Sequence, residues 1–179
     1  PMELSGPSIA LSLSSSGDDH QLRCSFSGGG DRVVGLRLPG AGRLTVTSPA
    51  GPAHETPTVS VRAACDLAGT DLACGQAGAG FPLQAELAGG TYYLVVEGIA
   101  DTTLTVGAVL ADAQPCDPAQ PWFACGPSSI CGSAPGGFAC RAAACANGLD
   151  DDLDGLTDFP AEPGCAAPTD DDEVDPAGG

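Results

Sequence analysis

The side chains that could bind a ligand are concentrated in one short acidic stretch, residues 150–158. Oxygen donors recur there at alternate positions, with Gly155 in their midst: Asp150, Asp152, Asp154, the carbonyl of Leu156 and Asp158. This spacing matches positions 1, 3, 5, 7 and 9 of a calcium-binding loop, in which a glycine at position 6 permits the sharp turn. Calcium takes about 6–8 oxygen ligands, so several carboxylates must converge within one turn. The stretch therefore predicts a calcium site formed by these five residues.

The calcium loop is incomplete at its last position. Position 12 falls on Ala161, which has no carboxylate, and Glu162 lies one residue too late. The acidic run 170–173 could close the ligand shell instead, because a disulfide between Cys145 and Cys165 would draw that run back towards the loop. The alternative is a solvated acidic tail, since runs of like charge usually stay hydrated.

The balance of charge limits the partners that this chain can bind. The net charge is −17, and residues 116–179 contain one basic side chain, Arg141, among many acidic ones. Phosphate backbones and anionic membrane surfaces repel such a chain, so nucleic acid is excluded as a partner and divalent cations are favoured. All the basic residues are arginine, which excludes chemistry that depends on lysine.

The nine cysteines indicate disulfide bonds and an oxidising compartment. Most of them cluster within residues 116–165. Zinc is the competing explanation, but no Cys-x2-Cys pair occurs, and both histidines, His20 and His54, are far from the cluster. We therefore expect a secreted or cell-surface protein. No apolar stretch is long enough for a transmembrane segment, and no signal sequence is visible, so we expect a mature or trimmed chain.

Residues 1–112 have the pattern of short β-strands. Apolar and polar residues alternate in segments that Gly, Pro, Ser and Asp separate: 9–14, 21–26, 33–38, 43–47, 58–62, 81–87, 91–97 and 103–109. Such alternation gives each strand one buried and one solvated face. The pattern predicts an all-β fold: an antiparallel β-sandwich of jelly-roll or Ig-like type, then a small disulfide-rich, calcium-binding C-terminal segment. The most apolar strand, residues 92–96, should be central.

The cysteines before residue 116 allow one disulfide and leave one cysteine over. Cys65 and Cys74 lie nine residues apart across a glycine-containing turn, and we expect a disulfide between them. If the later cysteines pair among themselves, Cys24 remains. Cys24 shares a strand face with Leu22 and Phe26, which favours a buried thiol; the alternative is a disulfide to another chain.

The sequence Gly-Thr-Tyr-Tyr-Leu-Val-Val at residues 90–96, together with Cys65 and Cys74, makes residues 16–112 resemble a known family. This family is the pre-peptidase C-terminal (PPC-like) β-sandwich of secreted bacterial proteins. The resemblance implies a non-catalytic appendage. Residues 1–15 would then be an N-terminal arm or first strand ahead of that domain.

Two further resemblances cover the rest of the chain. Residues 113–141, which contain Gly-Gly-Phe-Ala-Cys at positions 136–140, are similar to a shortened EGF-type module, and this similarity implies the disulfides Cys116–Cys131 and Cys125–Cys140. The spacing alone leaves every pairing of the six later cysteines open. Residues 142–179, with Cys145-Ala-Asn-Gly before the acidic loop and Pro-Gly-Cys165 after it, resemble a metal-binding repeat of secreted myxobacterial proteins.

These features favour a non-enzymatic extracellular module with a structural or adhesive role, stabilised by calcium. Its other partners would be cell-surface components or copies of itself, in an oligomer or a filament, for which the arm at residues 1–15 could add a strand to a neighbour's sheet. The alternative is a C-terminal targeting or processing appendage of a secreted hydrolase. No Gly-x-Ser-x-Gly motif marks a catalytic serine. Asp18, Asp19 and His20 lie near several serines and could form a Ser-His-Asp triad if these groups meet in space. A solvated turn before a strand is the favoured interpretation of Asp18 and Asp19.

Overall fold

The computed structural model describes residues 2–17, 22, 24, 29–49, 51–64 and 70–174. The chain divides into two compact units, Pro1–Ala108 and Val109–Gly179. Both contain β-strands and irregular segments, and the described residues include no α-helix. The boundary falls after residue 108, whereas the sequence analysis places it after residue 112.

The first unit has two largely antiparallel sheets. The described strands up to residue 110 are β1 (Met2–Glu3), β2 (Ser8–Leu11), β3 (Gly30–Leu38), β4 (Gly42–Thr47), β5 (Thr58–Arg62), β6 (Asp71–Gln76), β7 (Leu83–Leu87), β8 (Gly90–Gly98) and β9 (Thr102–Leu110), which extends two residues past the unit boundary. One sheet has the order β1–β3–β8–β5–β6, in which only β1 and β3 are parallel. The other contains β9, β4 and β7 in that order, with β2 paired to β9. The strand expected to be central, β8, is the middle strand of the first sheet.

Alternating apolar side chains build the core of this sandwich-like unit. Leu44 and Val46 of β4 are buried, and so are Leu104 and Val106 of β9, while the intervening Thr105 is exposed. Each buried Leu or Val side chain stabilises the fold by about 1.5–3 kcal/mol relative to an exposed one. The period-two pattern in the sequence therefore identifies the side chains of these strands that point towards the core.

Both faces of β5 are covered, which corrects the expectation of one solvated face per strand. All five of its residues are buried. Leu22 is also buried, and Cys24 is bonded to Cys74 of β6, which lies opposite Ser60 of β5. Opposite residues of an antiparallel pair share a face of the sheet. The disulfide therefore lies on the same face as Ser60, and it attaches Cys24 to that face.

An ion pair lies within this covered sheet. Arg62 and Asp71 are opposite one another in the β5–β6 hairpin, with Nε 2.7 Å from Oδ1 and side chains only 1% and 4% exposed. The hydroxyl of Ser60 donates to the same carboxylate oxygen. Removing charges from water costs free energy, so this ion pair is tolerated only because its short contacts and hydrogen bonds offset that cost.

The start of the chain is part of the sheets and is not a free arm. The strand β1 pairs with β3, and β2 pairs with β9. Leu11 and Leu13 are 2% and 0% exposed. A strand that is already paired and buried is not available to a neighbour's sheet, so assembly by donation of residues 1–15 is not favoured.

The second unit has three short strands and a long irregular segment. Its described strands are β10 (Phe123–Cys125), β11 (Ser129–Ala134) and β12 (Gly137–Ala142). Pro135 and Gly136 connect β11 to β12, and the φ of +92° at Gly136 suits the second central position of a type II turn. After the 3₁₀ turn Ala144–Ala146, the described chain up to residue 174 has no regular secondary structure. Hydrogen bonds and disulfides must therefore determine its conformation.

Candidate metal site

Three of the five predicted calcium ligands come together. Carboxylate oxygens of Asp150, Asp152 and Asp154, one from each, all lie within 4.8 Å of one another, and the first two of these residues are half-buried. Two ligands that are each about 2.5 Å from one ion are at most about 5 Å apart. The three aspartates, hereafter the aspartate group, are therefore close enough to share one cation.

Hydrogen bonds from the loop's own backbone produce this convergence. Asp150 accepts from the N–H groups of Leu153 (2.7 Å) and Gly155 (3.0 Å). Asp154 accepts from the N–H of Leu156 (2.8 Å). The φ of +97° at Gly155 is a left-handed conformation that glycine adopts without a steric cost. These short-range contacts curl the chain, which is why the residue spacing alone predicts the group.

The other two predicted ligands, Leu156 and Asp158, are placed differently. Asp158 lies outside the aspartate group. Both of its carboxylate oxygens accept from the N–H of Gly148, at 3.1 and 3.0 Å, so this side chain closes the loop on itself. Direct binding of an ion by Asp158 is therefore not favoured. The N–H of Leu156 is bound to Asp154, and its carbonyl stays a predicted ligand.

Glu162 does not take the place of the missing position-12 carboxylate. It is 2% exposed and accepts from the N–H of Gly164 at 2.9 Å. The acidic run returns to the loop through Glu173, which accepts from the N–H groups of Asp151 and Asp158. This contact is with the backbone of the loop, and Glu173 is not part of the aspartate group.

One arginine anchors the acidic run. Arg141 makes two hydrogen bonds to Asp171, Nη1 to Oδ1 at 2.9 Å and Nη2 to Oδ2 at 2.6 Å. The guanidinium lowers the pKa of Asp171, and the carboxylate raises the pKa of Arg141. The ion pair therefore contributes fully above the ordinary pKa of aspartate, and the contribution is lost as the pH falls through the lowered pKa.

The charge balance of the second unit suits a bound cation. Arg141 is the only basic residue after residue 108, and it is bound to Asp171. No second basic side chain exists in this unit to neutralise the aspartate group. Three carboxylates in one loop repel one another, and a divalent cation between them removes that repulsion.

The described residues contain four disulfides: Cys24–Cys74, Cys116–Cys131, Cys125–Cys140 and Cys145–Cys165. Three of these disulfides join cysteines whose pairing the sequence predicted. The EGF-type resemblance implies Cys116–Cys131 and Cys125–Cys140, and Cys145 and Cys165 bracket the acidic loop. A sulfur atom in a disulfide is not available as a thiolate ligand. The clustered sulfurs of the second unit are therefore not a zinc site.

The expected disulfide between Cys65 and Cys74 is wrong. Cys74 is bonded to Cys24, with 5.8 Å between their Cα atoms, and Cys65 lies outside the described residues. Cys74 is in the interior of β6, opposite Ser60 in the hairpin register. Cys24, expected to be the unpaired cysteine, is the true partner.

In the described part of the chain, the residues considered for catalysis do not form a catalytic group. Three of them lie outside it: Asp18, Asp19 and His20. His54 is 72% exposed, with Nε2 3.6 Å from Glu55. A surface cleft of about 470 Å³ in the first unit includes Asp101, whose pKa is lowered by hydrogen bonds from the hydroxyl and N–H of Ser14. A carboxylate stabilised in this way is a weak base.

Comparison with known proteins identifies no relative: no family model, curated protein or solved structure matches this chain. The resemblances noted in the sequence therefore depend on their motifs alone and stay predictions. Among the described residues, no helix has both the length and the apolar character needed to cross a membrane.

Proposed function

We propose that this chain is a non-enzymatic extracellular module with a structural or adhesive role, and that its second unit binds calcium. The observation that carries the proposal is the aspartate group, in which three carboxylates approach within 4.8 Å. Carboxylate oxygens suit calcium, which tolerates flexible, irregular coordination. A bound ion would stabilise a segment that has no regular secondary structure.

The composition of the calcium-binding segment explains why it would need an ion. Its large apolar side chains are mostly exposed: Leu149 is 61%, Leu153 85% and Leu156 40% exposed. Such a segment buries too little apolar surface to offset the entropy of ordering its chain. Cross-links and a metal ion are the usual substitutes for a core, and the Cys145–Cys165 disulfide already encloses the loop.

The disulfides support the proposed location. Disulfides persist in oxidising compartments, which supports a secreted or cell-surface location. Calcium-dependent polymerisation of the isolated chain would favour the structural role. A longer precursor with a protease domain upstream would favour the alternative, an appendage that targets or processes a secreted hydrolase.

Calorimetric titration with calcium tests the metal site. We expect the native chain to bind calcium with a dissociation constant on the order of 10⁻⁴–10⁻³ M, as in other extracellular modules. Asp152→Asn removes one charge from the aspartate group and should weaken binding about tenfold or more. The reason is that the affinity of such loops depends on the number of charged ligands.

Asp151→Asn is the matched control for this titration. It makes the same change in the same loop, but the carboxylate of Asp151 accepts from Nδ2 of Asn147 at 2.7 Å and is not in the aspartate group. We expect it to bind calcium nearly as well as the native chain. Equal affinities for all three proteins, or no binding by the native chain, would refute the proposed site.

A further inference from the structure

Glu173 connects two distant points of the acidic loop. One carboxylate oxygen, Oε2, accepts from the N–H of Asp151 at 2.8 Å, and the other, Oε1, accepts from the N–H of Asp158 at 3.1 Å. Asp151 is the second residue of the loop, directly after Asp150, and Asp158 is its last residue. A single side chain therefore fixes the distance between the two ends of the loop.

The carboxylate of Glu173 contacts the backbone of the loop and lies outside the aspartate group. Glu173 is 2% exposed, and a carboxylate oxygen lies within 4.8 Å of the sulfurs of Cys145 and Cys165, apart from the aspartate group. Burying a carboxylate is costly unless hydrogen bonds satisfy it, and the two loop N–H groups do so. Its position is therefore specific to the folded loop.

Several contacts hold Glu173 in this place. Arg141 binds Asp171 with both terminal nitrogens, and the N–H of Cys145 donates to the carbonyl of Asp170 at 3.1 Å. The backbone of Glu173 also passes so close to Gly164 that a Cβ atom there would collide with the Glu173 carbonyl oxygen. Residues remote in sequence from the loop thus determine its closure.

We propose that Glu173 is a positioning residue for the calcium site: it sets the affinity of the aspartate group by holding the ends of the loop, and it does not bind the ion itself. Arg141 supports it from a distance through Asp171. In this respect Glu173 replaces the residue that the loop lacks at position 12, where Ala161 stands. This inference rests on the proposed function.

The test combines calcium affinity with the hydration of bound Tb³⁺, a hard ion that takes the same oxygen ligands. The Glu173→Gln variant keeps the size of the side chain but replaces one acceptor oxygen with a donor, so one of the two loop contacts is lost. We expect it to weaken calcium binding about 10–100-fold, as outer-shell changes commonly do. The number of water molecules on Tb³⁺, from luminescence lifetimes in H₂O and D₂O, should stay unchanged.

Two control variants distinguish positioning from ligation. Asp152→Ala should weaken binding and also raise the number of waters on Tb³⁺ by about one, because a ligand oxygen is lost. Asp172 is an exposed neighbour of Glu173, and the carboxylate of Asp172 accepts from the N–H of Val174. The Asp172→Asn variant should therefore bind calcium like the native chain. The amide resonances of Asp151 and Asp158 should shift in calcium-free Glu173→Gln and not in Asp172→Asn.

Each outcome decides the question. Added water on Tb³⁺ in Glu173→Gln would show that Glu173 is a ligand. Unchanged calcium affinity would show that Glu173 has no role in the site. Either result overturns the inference and leaves the proposed function standing. A native chain that binds no calcium overturns both. If Glu173→Gln does not fold, Arg141→Gln provides the deciding test: weaker calcium binding with no added water on Tb³⁺ supports the inference, and native affinity overturns it.

Discussion

Replacing both Cys24 and Cys74 with serine is expected to lower the free energy of unfolding of the native chain by about 4 kcal/mol. The disulfide between them closes a loop with a sequence separation of 50, the longest of the four disulfides in the described residues. In the chain-entropy model, a cross-link that closes a longer loop removes more freedom from the unfolded chain. Urea unfolding, followed by circular dichroism, measures the change.

Cys65→Ser is the matched control for the disulfide variant. Cys74 is bonded to Cys24, so removal of Cys65 should leave the unfolding transition close to that of the native chain. Alkylation of the unfolded, unreduced chain should label Cys65 and not Cys24. A loss of stability in Cys65→Ser as large as in the double variant would show that Cys65 and Cys74 are paired after all.

Removal of the carboxylate from the buried ion pair should have an effect of similar size. Asp71→Ala is expected to lower the free energy of unfolding by about 3–5 kcal/mol, because it removes a carboxylate that is hydrogen-bonded to a buried guanidinium. Arg62 is 1% exposed at its side chain, with Nε 2.7 Å from Asp71. Urea unfolding again provides the measurement.

The chain contains a matched exposed pair for comparison. Arg43 and Glu86 also face one another in an antiparallel pair of strands and form an ion pair, but their side chains are 60% and 68% exposed. Water screens such a pair, so Glu86→Ala should cost at most about 1 kcal/mol. If Asp71→Ala costs no more than Glu86→Ala, burial does not determine the importance of the Arg62–Asp71 pair.

The strands that the sequence predicts well are those with large alternating side chains. In β4 and β9 the alternation alone identifies the buried residues, and the apolar run in β8 places it in the middle of its sheet. The strand β6 was not predicted: it contains Gly75 and small residues, and its one large apolar side chain, Leu72, is 54% exposed. It is a strand because it pairs with β5, which is tertiary information that its own residues do not carry.

The candidate site separates in the same way into local and remote parts. The aspartate group depends on hydrogen bonds between residues no more than five positions apart, so residue spacing is enough to predict it. Glu173 reaches the loop only because a disulfide, an ion pair and a close backbone approach at Gly164 bring it there. The sequence suggested that the run 170–173 returns. It did not show which residue makes contact, or that the contact is with N–H groups.

The positions of the arginines affect how fast proteases of the trypsin type cleave the folded chain. These enzymes cut after arginine or lysine and need a stretch of extended backbone free of other hydrogen bonds. The chain has no lysine, and every arginine in the described residues lies within a paired strand: Arg32, Arg37, Arg43, Arg62 and Arg141. The irregular acidic segment after Arg141 contains no such residue at all. At these arginines cleavage must wait until a strand opens, so the rate of digestion there reports the local stability of the sheets.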